Sequence, residues 1–195
     1  NLLVVATYIL LGIPLLVGVG SALPTLLAGN SLAGFFELAE ELGTPALAIL
    51  TAMLAATPLN IVFGWKWPLP LKKPLGIFAF LYSAVHAFSY FGVNIMAEGG
   101  WPMVITGLIA VLIMLPLFLT SNQWSMKKLR RRWKTLHKLT YVVPFFVAGH
   151  LLFLGEGLGI LMFIFLGMRL PFVRKFFVEW RMNRRRRKMQ TAVMP

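Results

Sequence analysis

Six long apolar runs constrain this chain more than any other feature of its sequence. A helix needs roughly 18 or more apolar residues to cross the hydrocarbon core of a bilayer. The chain is 58% hydrophobic and 13% charged, with a mean hydropathy of +0.78, which is too apolar for an ordinary soluble domain. The runs, of which the last two are short, are Leu2–Leu27, Ala46–Phe63, Leu75–Asn94, Pro102–Leu119, Leu139–Leu154 and Leu158–Leu170. This pattern predicts an all-α integral membrane protein, a six-helix bundle.

The charged residues predict the orientation of that bundle. All 19 Lys and Arg residues fall after the second run, around the start of the fifth run, or in the C-terminal part of the chain from Arg169 onward. Basic residues mark the cytoplasmic side of a membrane protein. The acidic residues other than Glu179 fall in the alternate connections; they are Glu37, Glu40, Glu41, Glu98 and Glu156. We therefore expect both termini to be cytoplasmic, in a multi-pass protein of the bacterial inner membrane.

The chain divides into a transmembrane part and a basic tail. Residues 1–171 hold the six runs, and residues 172–195 form the tail, which we expect in the cytoplasm. The tail carries the run Arg184-Arg185-Arg186-Arg187-Lys188, which favours contact with anionic lipid headgroups. A nucleic-acid or protein partner for this run is the less favoured interpretation.

Cysteine and histidine usage narrows the chemistry. The chain has no cysteine, which excludes disulfides, thiolate catalysis, iron–sulfur clusters and cysteine zinc sites. It has three histidines, His86, His137 and His150. We see no nucleophile and base in the pattern of a hydrolase. We also see no cluster of polar residues large enough to bind a transporter's substrate. Any metal chemistry must therefore rest on histidine or carboxylates.

Two of the histidines lie at matching depth. At 1.5 Å of helix rise per residue, His86 is roughly 20 Å from Lys73 and His150 is roughly 18 Å from Lys138. Spans three and five run in the same direction, so both imidazoles can face one object displaced toward the outer face. His137, beside Lys138, lies at a second level nearer the cytoplasm.

Deep histidines admit a functional and a structural interpretation. Ionisable groups inside spans are costly and usually functional. Two opposed neutral imidazoles suit axial ligation of a b-type heme, whereas zinc or copper needs further ligands and proton relays usually include buried carboxylates. The structural alternative is helix packing, in which His86 bonds to polar neighbours such as Tyr82, Ser89 or Tyr90. The sequence favours heme and leaves packing as the alternative.

The third histidine raises a problem of helical phase. His137 and His150 are 13 residues apart, which places them roughly 140° out of phase on an ideal α-helix. Pro144 lies between them and predicts a kink or a local change of winding. Without such a change the two side chains do not address one simple stack of cofactors.

Three stretches carry a family resemblance. They are Thr57-Pro58-Leu59, "LGIFAFLYSAVHAFSYFGVN" at Leu75–Asn94, and "LFLTSNQWSMKKLRRRWKTLHKLTYVV" at Leu117–Val143, followed by His150. One histidine in span three, two in span five and Trp133 four residues before His137 complete the pattern. Over roughly Gly43–Phe153 the chain resembles the ferric-reductase-like transmembrane family, and within it the heme-binding membrane subunits of bacterial methionine sulfoxide reductase systems.

The resemblance implies electron transfer rather than stand-alone catalysis. It implies a heme b protein that passes electrons from a cytoplasmic-side or quinol donor, such as a flavin reductase, to a periplasmic molybdenum-containing reductase of oxidised methionine. It implies that His86 and His150 are axial ligands of the heme nearer the outer face. It also implies that His137 serves a second heme nearer the cytoplasm, with FMN as a further cofactor. The alternative is a heme b or non-redox structural subunit of another membrane redox complex.

Basic residues at the inner side have two interpretations. Five of them could pair with heme propionates or with a quinone headgroup; they are Lys72, Lys73, Arg131, Arg132 and Lys134. Their position is also what the positive-inside rule alone produces.

Overall fold

The described part of the molecule is entirely helical. The structure, a computed structural model, describes residues 2–28, 31–94, 101–155 and 157–193. Within these ranges the α-helices are α1 (Leu2–Leu27), α2 (Ser31–Phe63), α3 (Lys72–Asn94), α4 (Trp101–Leu119), α5 (Gln123–Leu129), α6 (Arg131–Leu136), α7 (Val143–Phe153), α8 (Gly159–Gly167) and α9 (Pro171–Val193). Short 3-10 helices cover Leu69–Leu71 and His137–Tyr141. The prediction of an all-α fold is confirmed.

The helices carry the surface of a membrane protein. Four described segments are long and apolar enough to cross a bilayer, and they are Leu2–Pro24, Leu38–Phe63, Trp101–Leu119 and Arg131–Phe153. Large apolar side chains face outward along them, and Leu10 and Leu16 of α1 are 70% and 74% exposed. Exposed apolar surface of this extent requires lipid. The protein is therefore a multi-pass membrane protein, while the count of six spans and the side of each terminus stay predictions.

The second helix begins earlier than the sequence predicts. The apolar run starts at Ala46, but α2 starts at Ser31 and contains Glu37, Glu40 and Glu41. The assignment of these glutamates to a connection is wrong, because glutamate is a good helix former and an exposed carboxylate does not end a helix. The two other residues of that set, Glu98 and Glu156, lie outside the described residues.

Two pairs of adjacent helices form the centre of the fold. Helix α2 packs along α3, α4 packs along α7, and contacts between α3 and α4 join the pairs. Small residues allow this close approach, since Ala79 of α3 and Ala148 of α7 are fully buried. Helix α8 comes so close to α7 that a Cβ atom on Gly159 would lie 3.2 Å from the Ala148 backbone. The arrangement places α3 and α7, which carry His86 and His150, in the interior.

The fifth apolar run changes its winding along its length. It consists of α6, the 3-10 segment His137–Tyr141 and α7. The Pro144 ring clashes with an α-helical carbonyl four residues earlier, which favours the tighter 3-10 winding before it. A 3-10 helix turns roughly 20° more per residue, so its five residues reduce the offset between His137 and His150 from roughly 140° to roughly 40°. The change of winding predicted from Pro144 is present.

The basic tail contains a helix. Helix α9 covers Pro171–Val193, and the Arg181 guanidinium donates a hydrogen bond to the carbonyl oxygen of Asn60, at 2.7 Å. This bond ties the tail to the C-terminal end of α2. The location of this helix in the cytoplasm stays a prediction.

Tyr82 joins α3 to α1 and gives a first testable prediction. Its ring is buried, and its hydroxyl donates a hydrogen bond to the Leu11 carbonyl oxygen at 2.9 Å. We expect Tyr82→Phe to lower the free energy of unfolding by about 0.5–1.5 kcal/mol, because it removes the bond and keeps the ring. Thermal unfolding in detergent measures the change. Tyr8→Phe is the matched control on the more exposed Tyr8, and an equal loss in both variants would contradict the prediction.

Candidate functional site

His86 of α3 is oriented by a backbone carbonyl of α2. Its Nδ1 atom lies 2.6 Å from the Ala39 carbonyl oxygen. A carbonyl oxygen only accepts hydrogen bonds, so Nδ1 carries the proton and donates it. The neutral ring then has its lone pair on Nε2. His86 is therefore held in the tautomer whose Nε2 lone pair is available to a ligand.

His150 of α7 is held in the same way by α4. Its Nδ1 atom donates to the Met103 carbonyl oxygen over 2.9 Å. The tautomer is again the one with a free lone pair on Nε2. In both histidines, Nδ1 donates a hydrogen bond to a backbone carbonyl of the neighbouring helix, and the Nε2 lone pair is available to a ligand.

The two imidazoles lie close together across the interface between the helix pairs. Their ring centroids are 6.4 Å apart, and the ring planes are inclined by 86°. Two imidazoles that ligate one metal ion from opposite sides have centroids roughly 6 Å apart, because each metal–nitrogen bond is about 2 Å long. The structure brings together the two histidines that the depth argument paired, at a separation that fits one metal ion between them.

Glycines let each ring approach its carbonyl. A Cβ atom added to Gly43 would lie 3.1 Å from Cε1 of His86, and one added to Gly107 would lie 2.9 Å from Nδ1 of His150. Each glycine is four residues after the carbonyl that its histidine uses, Ala39 or Met103. The imidazole therefore lies against one turn of the neighbouring helix, between a carbonyl and a glycine. Sequence reasoning missed both glycines, although glycine inside an apolar run signals a close approach.

No larger cluster of metal-ligating side chains surrounds these imidazoles in the described ranges. No group of three or more His, Cys, Asp or Glu side chains converges in the part of the chain that the structure describes. Zinc and other ions bound by protein side chains alone need three or four such ligands. Two imidazoles suffice when a macrocycle supplies the remaining ligands of the metal ion.

One polar group beside His86 has no partner. Ser89, one turn along α3, is 1% exposed, and its hydroxyl makes no hydrogen bond within the described residues. A buried hydroxyl without a partner is unusual and calls for an explanation. Tyr90 lies on the same side, with its ring centroid 6.2 Å from that of His86.

His137 lies at a separate, second site. Its Nε2 atom is 3.0 Å from the Thr120 hydroxyl, and its ring stacks on Trp133 with centroids 4.0 Å apart. The Trp133 indole donates to the Thr120 carbonyl oxygen at 2.9 Å. The structure does not bring His137 to His86 and His150. Among the described residues no second imidazole stands opposite it.

A cavity of about 410 Å³ adjoins His137. Its polar lining includes Lys72, Lys73 and Arg169. Three other basic residues that the sequence offered for ligand pairing are exposed and do not line it, and they are Arg131, Arg132 and Lys134. Sequence reasoning counted Arg169 only as part of the basic tail, because the positive-inside rule explained its charge.

Comparison with known proteins assigns the family. The family described as "Ferric reductase like transmembrane component" matches residues 42–148. Three relatives are each described as "Protein-methionine-sulfoxide reductase heme-binding subunit MsrQ". The Rhizobium meliloti (strain 1021) protein is 34% identical over 189 residues, covering 90% of this chain and 86% of the relative.

The other two relatives are covered less completely. The Brucella anthropi protein is 39% identical over 111 residues, covering 53% of this chain and 50% of the relative. The Deinococcus radiodurans protein is 34% identical over 122 residues, covering 58% of this chain and 60% of the relative. No solved structure matches the chain.

The family match includes much of the site. It contains Gly43, His86, Gly107 and His137, and it ends at residue 148, just before His150. It covers more than half of the chain, and the Rhizobium meliloti protein extends the similarity over most of the rest. The chain therefore belongs to the ferric reductase like transmembrane family and is similar to its heme-binding subunits named MsrQ.

Proposed function

We propose that this protein is a membrane electron-transfer subunit that holds one heme b between His86 and His150. The observation that carries the proposal is the pair of imidazoles with ring centroids 6.4 Å apart. Each ring is fixed through Nδ1 by a backbone carbonyl, which leaves both Nε2 atoms for the iron. The names of the relatives, which describe heme-binding subunits, support the same cofactor.

The residues present fit such a heme. Two neutral imidazoles from facing helices are the ligand set that b-type hemes use in helix bundles. Gly43 and Gly107 keep the imidazoles close to the backbones of α2 and α4. The unpartnered hydroxyl of Ser89 lies one turn from His86 and offers a hydrogen bond at the edge of the site.

The protein tunes the cofactor through these contacts. A heme with both axial positions filled by imidazole carries one electron at a time and has no open position for oxygen or substrate. The hydrogen bonds from Nδ1 to the carbonyls of Ala39 and Met103 would make each imidazole a more basic ligand of a bound heme, which would favour the ferric state. The same bonds fix both rings before any electron arrives, so little reorganisation is needed on reduction.

The proposed route of the electrons crosses the bacterial inner membrane. The donor is a quinol or a cytoplasmic-side flavin reductase, and the acceptor at the outer face is a periplasmic, molybdenum-containing methionine sulfoxide reductase. The supporting observations are the relatives' names and the charge distribution, which predicts that the heme histidines lie nearer the outer face. Exposed basic residues of α9 contact anionic lipid headgroups in this arrangement.

One heme is better supported than two. A second heme on His137 would have to replace the contact between its Nε2 atom and the Thr120 hydroxyl. The described residues offer no opposite imidazole at that level. The resemblance also implies FMN, but we assign no residue of the histidine site to FMN binding.

A structural subunit is the second candidate function. The bonds from His86 to α2 and from His150 to α4 hold helices together whether or not a cofactor is present. A non-redox member of another membrane complex could use the histidines in this way alone. The presence of heme in the purified protein distinguishes the two functions.

An absorption spectrum tests the proposal directly. We expect protein purified from heme-replete cells to show a low-spin ferric Soret band, which shifts and gains sharp α and β bands on dithionite reduction. Pyridine hemochrome analysis should give one heme b per chain, because only one pair of imidazoles is assembled. A colourless protein from cells that load other hemoproteins would contradict electron transfer and support the structural alternative.

A further inference from the structure

The cavity beside His137 is amphiphilic. One part of its wall is apolar and includes Leu50, Met53, Met114 and Phe118. The polar part contains three cationic side chains, Lys72, Lys73 and Arg169, together with hydroxyls of Ser121 and Thr140. A ligand that fills the cavity therefore meets apolar surface along its body and positive charge at one end.

The positive charge of this cavity is not compensated by the protein. None of the described residues that line it is Asp or Glu. Among the described residues, Lys72 donates a side-chain hydrogen bond to the Thr57 hydroxyl, at 3.1 Å, and not to a carboxylate. Burial, together with the nearby guanidinium of Arg169, lowers the pKa of the Lys72 ammonium, which lies just before the third apolar run. Two partly buried cations without a counter-ion are costly, and a bound anion would remove that cost.

Arg169 is held in place at the wall of the cavity. Its Nη2 atom donates to the Leu54 carbonyl oxygen at 2.7 Å, and its guanidinium lies 5.5 Å from the centroid of the Tyr141 ring. Its Nε atom is buried and has no hydrogen-bond partner among the described residues. Because Arg169 also lines the cavity, its guanidinium brings a fixed positive charge and further N–H donors to an anionic oxygen bound there.

We propose that this cavity is a binding site for the phosphate group of an amphiphilic ligand, with Lys72 and Arg169 as its direct partners. Lys72 supplies a mobile ammonium, and Arg169 supplies a fixed planar donor, a combination that suits phosphate oxygens. The phosphate can come from a membrane phospholipid or from a soluble phosphorylated compound, which share this chemistry. The site is separate from the heme site, and its existence does not depend on heme binding.

Other occupants suit the cavity less well. The propionates of a heme on His86 do not reach Lys72, because the two residues are roughly 21 Å apart along α3. A neutral quinone headgroup would leave both cations without a counter-ion. A phosphate compensates the positive charge of Lys72 and Arg169 and accepts hydrogen bonds from both side chains.

Ligand-induced stabilisation tests the site and separates the two sources. Delipidated protein in a non-ionic detergent is titrated with inorganic phosphate at constant ionic strength. It is also titrated in the same detergent with phosphatidylglycerol, and phosphate-free diacylglycerol is the lipid control. We expect phosphate, phosphatidylglycerol or both to raise the midpoint of thermal unfolding. A response to inorganic phosphate indicates a soluble source, and a response to phosphatidylglycerol alone indicates a lipid.

Three variants connect that response to the cavity. We expect Lys72→Gln and Arg169→Gln each to weaken the apparent affinity at least about tenfold, because each removes a charge-assisted hydrogen bond. Arg169→Lys keeps the charge and should retain part of the response. Arg132→Gln is the matched control, since Arg132 is exposed and does not line the cavity. The helical signal in circular dichroism serves as the folding readout for every variant.

The outcomes are distinct from those of the heme proposal. No stabilisation by either probe, or equal stabilisation of wild type and both glutamine variants, would overturn the phosphate site. Loss of one heme per chain in Lys72→Gln would assign the cavity to a heme and overturn it as well. A failure of the phosphate response with the Soret band intact leaves the heme proposal standing.

Discussion

We expect His86→Ala and His150→Ala each to purify with at least about tenfold less heme than the wild type. Loss of a partner outside the ligand shell already costs metal sites roughly 10–100-fold in affinity, and here the ligand itself is removed. Because the two imidazoles lie on opposite sides of one proposed iron, either substitution removes half of the axial set. Heme per chain, from pyridine hemochrome and protein assays on the same sample, measures the effect.

His137→Ala is the internal control for that pair. Its ring stacks on Trp133 and contacts Thr120, away from the other two histidines. We expect it to retain the full heme content and an unchanged Soret position. Normal heme in both His86→Ala and His150→Ala would refute the ligand pair, and half the heme in His137→Ala would show that a second heme is bound there.

The second large effect should come from Gly107, which touches no proposed cofactor. A Cβ atom at this position would lie 2.9 Å from Nδ1 of His150, closer than real Cβ contacts allow. Gly107→Leu should therefore push the imidazole away from the Met103 carbonyl oxygen and misdirect its Nε2 atom. We expect heme affinity to fall roughly 10–100-fold, the range found when the hydrogen-bond partner of a metal-ligating histidine is lost.

Graded variants separate this mechanism from general destabilisation. Gly107→Ala should lower heme affinity less than Gly107→Leu does. Gly43→Ala should have the milder effect of the two alanine variants, because its Cβ contact with the His86 ring is 3.1 Å rather than 2.9 Å. Gly20→Ala meets no atom within 4 Å and is the matched control in a helix. Heme titration of the apoprotein measures each affinity, and equal losses at Gly20 and Gly107 would contradict the mechanism.

The sequence was most informative where one physical effect dominated. Apolar runs predicted the helices, because a lipid environment requires helical backbone. Depth arguments paired His86 with His150, because the rise per residue is nearly constant along α-helices. The rise and the turn per residue change in the 3-10 helix His137–Tyr141. The angular offset between His137 and His150 therefore requires a structure.

The sequence was less informative where charge had two explanations. Glu40 and Glu41 looked like a connection, although they lie within α2. Arg169 looked like part of a positive-inside signal, although its guanidinium reaches the Leu54 carbonyl of α2. The sequence did not show which side chains approach Gly43 and Gly107, because that depends on which helix packs against each glycine. These contacts join residues far apart in sequence, and pattern reasoning on a single chain does not supply them.

The carbonyl and glycine contacts have a consequence for how the protein matures. Each half of the histidine site is complete within one helix pair, with His86 fixed by α2 and His150 fixed by α4. If a heme binds as proposed, both half-sites would be formed before it, and the heme would join the two helix pairs along the α3–α4 contact. Without heme, the α3–α4 contact would open first, and membrane proteases would cleave the apoprotein there. Cofactor supply would in this way set the cellular abundance of the subunit as well as its redox state.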